Sequence, residues 1–157
     1  MTLATVEACA EKLRQQKFTP AFAESATAGR ATAEFAMVEH SGEFLKGGII
    51  CYDACVKQDL LNVDEKLIEK YTAESQEVTN AACIGLQTLI EADILIAITG
   101  LTCPGGSESE EKPVGTMFIS MLKNGQLSGQ RYFFEGDKED IILQTINQVA
   151  LIISMAL

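Results

Sequence analysis

The sequence predicts an α/β fold: a three-layer α/β/α sandwich with a mostly parallel sheet and a C-terminal antiparallel hairpin. Three observations carry this reading. Short apolar runs alternate with amphipathic helical segments, the pattern of strands joined by crossover helices. The run Gly47–Tyr52 is apolar on both faces, as expected of a central strand. Near the C-terminus, Asn124-Gly125 separates two further apolar runs, the strongest short hairpin signal a sequence offers.

Each element follows in order. Leu3, Val6, Cys9, Ala10 and Leu13 share one face of a first helix. Phe18 to Ala23 forms a strand after a break at Lys17. Gly29 to Val38 is a helix of small residues, ended by His40-Ser41-Gly42. The strand Gly47–Tyr52 leads into a helix from Asp53 through Leu60. Asp64 caps a short helix to Tyr71, and Ser75-Gln76-Glu77 starts another that runs through about Glu91. Asp93 to Gly100 is the clearest strand, and a polar loop over 101–112 follows it. Val114 to Leu122 and Leu127 to Glu135 are the hairpin strands. Asp137 caps a final helix carrying Ile141, Ile142, Ile146, Val149 and Ile153.

The 157 residues fit a single domain, 1–157, with room for a real core. The formal net charge is -10, with 22 acids against 12 bases. A surface of that sign repels phosphate backbones, so the partner is a small molecule and not a nucleic acid. The N-terminus lacks the basic and apolar regions of a signal peptide, and the apolar runs are too short to span a bilayer. No membrane association is expected. The five cysteines are scattered and mostly lie within apolar runs, which points to buried free thiols in a reducing cytoplasm. They have no metal-ligand spacing, so no metal is expected.

In an open α/β sheet, ligands collect beyond the carboxyl ends of the strands. Ser25 and Thr27 fall there, where a strand feeds a helix. Unpaired N–H groups at such a start favour an anion or a developing oxyanion. Ser25 can be a nucleophile, an anion ligand or a plain N-cap, and the cap is the commonest of the three. Lys57 lies little more than one turn into the helix after Tyr52. Facing inward, it would be partly desolvated, lose its charge near neutrality and accept a proton from a serine. Facing outward, it is an ordinary surface lysine. Thr99-Gly100 and Pro104-Gly105-Gly106 let the main chain approach a ligand closely. The segment lacks both the phosphate-loop and the dinucleotide fingerprints. His40 sits in a helix-ending turn and is not read as a base.

Five ordered motifs add a resemblance. They are Ala23-Glu24-Ser25-x-Thr27-x-Gly29, Gly48-x-x-x-Tyr52-x-x-x-x-Lys57, Ser75-x-Glu77-Val78, Ile98-Thr99-Gly100-x-x-x-Pro104-Gly105-Gly106 and Glu111-Lys112-Pro113-Val114-Gly115-Thr116. Over nearly its whole length the chain resembles the CinA C-terminal domain family, which includes the stand-alone nicotinamide-nucleotide amidases of the PncC type. The resemblance implies an α/β protein that forms homo-oligomers and works without metal or other cofactor. It implies hydrolysis of the carboxamide of nicotinamide mononucleotide to ammonia and nicotinic acid mononucleotide by a Ser/Lys mechanism. Lys57 would be the base, Ser25 the candidate nucleophile and Tyr52 part of the proton network. Glu24, Thr27, Gly29, Ser41, Thr99, Gly100, Gly105, Gly106 and Lys112 would surround the substrate.

The chain departs from the family pattern in this region. Ala26 and Ala28 replace a cysteine and the first glycine of the usual Glu-Ser-Cys-Thr-Gly-Gly. Gly42 stands where the family has the second serine of Gly-Ser-Ser, itself a plausible nucleophile. Asp53-Ala54 replaces Ser-Asn, and Thr102-Cys103 replaces Ala-Gly. A second reading is therefore a catalytically silent relative that binds a nucleotide or another small ligand. A third, a protein-interaction module, has no identifying feature in the sequence.

Overall fold

The structure, a computed structural model, describes residues 3–157. Its elements are α1 (Ala4–Gln16), β1 (Pro20–Glu24), α2 (Arg30–Ala36), β2 (Gly47–Ile50), α3 (Ala54–Leu61), α4 (Glu65–Tyr71), α5 (Gln76–Leu86), β3 (Ile94–Gly100), β4 (Thr116–Lys123), β5 (Gln126–Phe133) and α6 (Lys138–Met155). A single 3₁₀ turn, Ser41–Glu43, precedes β2.

The five strands lie in the order β2-β1-β3-β4-β5. β1 pairs in parallel with both β2 and β3. β4 runs antiparallel to β3, and β5 antiparallel to β4. β5 therefore points the same way as β1, β2 and β3, so only β4 is reversed. The sheet is mixed, with helices on both faces and the expected terminal hairpin. Asn124 and Gly125 both take positive φ, 52° and 73°, as a tight two-residue turn between twisted strands requires.

Strand alternation divides the core. Phe22, Ile94, Ile96, Ile98 and Ile119 face α1, α2 and α6, meeting Val6, Leu13, Phe35, Ile146 and Val149. Ala21, Ala23, Leu95 and Ala97 face the other layer, meeting Leu61, Val78, Ala82 and Leu86 of α3 and α5. The small alanines let α5 settle close to the sheet. α5 also crosses α3 closely, because a Cβ at Gly85 would lie 1.9 Å from the Leu61 carbonyl oxygen.

Local signals set the helix starts. Asp53, Asp64, Ser75 and Asp137 each accept a backbone N–H as N-caps, and Asp137 with Asp140 forms a full capping box. Several expectations are corrected. β2 is an edge strand, not a central one, and Ile50 on it is 55% exposed. α5 ends at Leu86, short of Glu91. Cys9, Cys51 and Cys83 are buried free thiols, but Cys55 is exposed and Cys103 half-buried. Among the described residues, no helix is long and apolar enough to cross a membrane.

The sheet order places the site. From β1 the chain crosses to β2 on one side, and from β2 it returns across to β3 on the other. The two neighbours of β1 are thus reached by opposite crossovers, which opens a crevice at the carboxyl ends of β1 and β3. Ser25 and the 101–112 loop stand at that crevice.

Candidate active site

Ser25 is the first residue beyond β1. Its backbone N–H continues the sheet by donating to the Ile98 carbonyl at 3.0 Å. On the other side of β1, the Cys51 N–H donates to the Glu24 carbonyl at 2.8 Å. The serine backbone is therefore fixed by both neighbouring strands.

Lys57 reaches the same point from α3. Asp53 caps that helix by accepting the Cys55 N–H at 2.8 Å, so Lys57 lies about one turn in. Helical side chains lean toward the helix N-terminus, which carries the lysine stem back beneath the sheet rim. Its side chain is buried, with 1% of the residue exposed. The amine donates to the Ser25 hydroxyl at 3.0 Å and to the Cys51 carbonyl at 2.9 Å. Burial pushes Lys57 below the usual lysine range, and the neighbouring Cys51, Glu74 and Asp53 only partly offset this. The inward-facing arrangement is the one found.

A cleft of about 220 Å³ opens above this pair, lined by Ser25, Ala26, Tyr52, Glu74 and the loop from Gly100 to Gly106. Tyr52 stands at its mouth, 55% exposed, and among the described residues makes no hydrogen bond to Ser25 or Lys57. A larger groove of about 880 Å³ is lined by Tyr71, Gln76, Lys112 and Arg131 among others, and shares Glu74 with the cleft. Neither Ser25 nor Lys57 lines it, whereas Ser25 lines the smaller cleft.

Several residues assigned to the substrate are occupied by the protein itself. Ser25 and Thr27 do not cap α2, whose N-cap is Gly29 at φ 93°. The anion at that helix start is Glu24, which is fully buried. Its carboxylate accepts from the Thr27 hydroxyl at 2.6 Å and from the Gly29 and Ala31 N–H groups at 3.0 Å. It also accepts from the Thr32 N–H at 2.7 Å and the Thr32 hydroxyl at 2.6 Å. Glu24, the Thr27 side chain and Gly29 thus build the turn and leave no free group for a ligand.

Thr99 is also turned inward. Its hydroxyl lies 2.6 Å from that of Thr79 on α5. Ser41 precedes β2 at the amino-terminal end of the strands, where the adjacent Lys46 N–H meets Pro20 at the start of β1. β1 separates Ser41 from the cleft by roughly 13 Å of extended chain. Gly100 lines the cleft, and a Cβ there would lie 2.6 Å from the Thr116 carbonyl oxygen, so glycine is needed where β3 meets β4.

The loop is braced in the same manner. Glu108 accepts the Gly105 and Gly106 N–H groups, each at 2.8 Å, and these bonds lower its pKa. The Lys112 amine donates to the Thr72 hydroxyl at 2.6 Å, the Glu74 carbonyl at 2.7 Å and the Ser107 hydroxyl at 2.9 Å. Its burial lowers its pKa as well. Lys112 is a clamp between the loop and the segment before α5. Glu74, absent from the sequence-derived site, lines the cleft and accepts from the Ser107 hydroxyl at 2.5 Å. Its position one residue before the Ser75 cap was the available signal.

Comparison with known proteins places the sequence and the fold. The CinA C-terminal domain family matches residues 3–156. A CinA-like protein of Geotalea uraniireducens is 35% identical over 136 residues, covering 87% of this chain and 32% of that protein. A CinA-like protein of Thermotoga neapolitana is 36% identical over 129 residues, covering 82% of this chain and 31% of its own length. The chain therefore spans about a third of these curated relatives. Among solved structures, a competence-damaged protein (CinA) superfamily member from Klebsiella pneumoniae superposes with a TM-score of 0.90 at 26% identity, covering 96% of this chain and 94% of that one. Sequence match, fold and the ordered motifs around Ser25 and Lys57 lead to one conclusion: this chain belongs to the CinA C-terminal domain family.

Proposed function

We propose that this chain is a Ser/Lys amidohydrolase of the nicotinamide-nucleotide amidase type. It would act on the carboxamide of nicotinamide mononucleotide or a related small amide. The observation that carries the reading is the buried Lys57 amine 3.0 Å from the Ser25 hydroxyl. Desolvation favours the neutral amine, which is the form able to take a proton.

The steps follow from that contact. The neutral Lys57 amine takes the Ser25 proton as Oγ attacks the amide carbon. The carbonyl π pair moves to oxygen and gives a tetrahedral anion. When the anion collapses, the C–N bond breaks and the Lys57 ammonium returns its proton to the departing nitrogen, which leaves as ammonia. Water then attacks the acyl-serine with Lys57 again as base, releasing the carboxylic acid. Tyr52, at the cleft mouth, is positioned to meet the pyridine ring rather than the proton path.

Ammonia release from nicotinamide mononucleotide tests the proposal. Turnover that is abolished in Ser25→Ala and in Lys57→Met supports it. The absence of ammonia from a panel of pyridine nucleotides overturns it. Thermal stabilisation by the same nucleotides without ammonia would instead support a silent binding protein. Gly42, at the second serine position of the family pattern, is the observation favouring that alternative. Homo-oligomer formation belongs to the same proposal, and β5 offers an exposed edge for strand pairing. Sedimentation measures it.

A further inference from the structure

One carboxylate in the cleft has no part in the Ser25–Lys57 chemistry. Of the residues lining the cleft, Glu74 alone carries a formal charge. The others are small, apolar or neutral polar groups, Leu101 and Pro104 among them, so water screens that charge less than it would on an open face. Glu74 stands just before the Ser75 cap of α5, and its two oxygens are used unequally. Oε2 accepts the Ser107 hydroxyl at 2.5 Å. Oε1 accepts no hydrogen bond among the described residues, and it lies 3.9 Å from where a Cβ on Gly106 would stand, at the cleft wall. Lys112 directs its amine to the Thr72 hydroxyl, the Glu74 main-chain carbonyl and the Ser107 hydroxyl, and not to the carboxylate. The bracing carboxylates of this molecule look different: Glu24 accepts five hydrogen bonds, and both Glu108 oxygens take a backbone N–H. Glu74 is held by one oxygen and left open at the other. Its charge also reaches the reactive pair, since it is one of the groups that partly offset the burial of Lys57.

We propose that Glu74 selects substrates by charge: the cleft takes a carboxamide carried on a cationic ring and discriminates against the same amide on a neutral ring. This rests on the Ser25–Lys57 amidase reading given above and adds a residue which that reading does not use. A pyridinium nucleotide is such a cation, because its ring nitrogen is bonded to the ribose and stays charged at every pH. Tyr52, at the cleft mouth, offers an aromatic face that favours a cation as well. Reducing the ring to the dihydropyridine removes the charge and keeps the carboxamide, the ribose and the phosphate. The oxidised and reduced mononucleotides are therefore a matched pair that differs by one ring charge. Glu74 acts on the ring and not on the breaking C–N bond, so it determines specificity and is not a second base.

Calorimetric binding of oxidised and reduced nicotinamide mononucleotide to Ser25→Ala reads this selection without turnover. The oxidised form should bind about 10-fold more tightly, the scale of one partly screened charge pair. Adding Glu74→Gln keeps the shape and an oxygen for Ser107 but removes the charge. It should weaken the oxidised form alone and bring the two affinities to within about 2-fold. Adding Ser107→Ala instead removes the tie to the loop and leaves the charge, so most of the preference should remain. Equal affinities in Ser25→Ala overturn the proposal, as does a preference that survives Glu74→Gln. Equal loss in the Ser107→Ala and Glu74→Gln variants assigns the effect to loop order and also overturns it, and so does failure of both nucleotides to bind. A Glu74-dependent preference in a chain whose parent releases no ammonia sinks the amidase reading and leaves the charge selection standing in a binding protein.

Discussion

Replacing Lys57 with methionine separates a buried base from an ordinary lysine. Methionine keeps most of the stem and removes the amine. Two consequences oppose each other in stability. The Cys51 carbonyl and the Ser25 hydroxyl lose the donor held at 2.9 and 3.0 Å, and each buried acceptor left unpaired costs about 1–3 kcal/mol. Against this, the chain no longer has to bury an amine whose charged form is penalised. The balance depends on pH. The unfolded lysine titrates near its ordinary value of 10.5, and the folded one titrates lower. Between the two values the unfolded chain holds the proton and the folded chain does not, so raising the pH favours the native form. Below the folded value both states are charged and the full burial penalty applies. The native protein should therefore gain stability over Lys57→Met as pH rises toward 10.5, by up to about 1.4 kcal/mol per pH unit within that window. Urea unfolding of both proteins across the range from neutrality upward measures the difference. The same titration should appear as a rise of kcat/KM with pH, and Lys57→Met should lose about 100-fold to 10,000-fold in rate. Parallel stability curves for the two proteins would refute a depressed Lys57 and remove the base.

Ser25→Ala should lower ammonia release by roughly 1000-fold or more while retaining the fold, measured by initial rates alongside circular dichroism. Ala28 stands in the left-handed region at φ 49°. Ala28→Gly should relieve about 1–2 kcal/mol of strain, less the entropy glycine adds to the unfolded chain, for a net gain of about 0.5–1 kcal/mol in urea unfolding. Glu24→Gln turns an amide donor toward donors and should destabilise the chain by about 3 kcal/mol, read as a lowered denaturation midpoint at constant slope. Lys112→Met should leave the core intact but loosen the 101–112 loop, giving faster proteolytic cleavage there than in the parent.

The fold was legible because its signals are local. Asp53, Asp64, Ser75 and Asp137 each announce a helix start, and Asn124-Gly125 announces a hairpin. Strand position within the sheet was not. Gly47–Tyr52 is apolar on both faces, yet β2 lies at the edge, where Ile50 is largely exposed. Apolarity records what a strand could bury and not which neighbours it meets. At the site, the strand-end serine and the lysine one turn into a helix were readable from spacing, because both elements have fixed geometry. The fate of the polar groups was not. Glu24 looks like a ligand contact in sequence, but the fold uses it as its own anion, and Glu108, one acid of a run that reads as solvated, is turned to the same use. Thr99 is drawn inward by Thr79 on α5, a partner twenty residues away that no local pattern reveals.

The reversal of β4 has a consequence for how this scaffold can vary. Because β4 turns back along β3, the segment between them leaves and re-enters at the same rim, like a handle fixed at both ends. Lengthening or shortening that handle would reshape the roof over Ser25 without crossing the sheet or disturbing α3, which carries the lysine. On the proposed reading, substrate choice and proton transfer could therefore change independently in chains built this way.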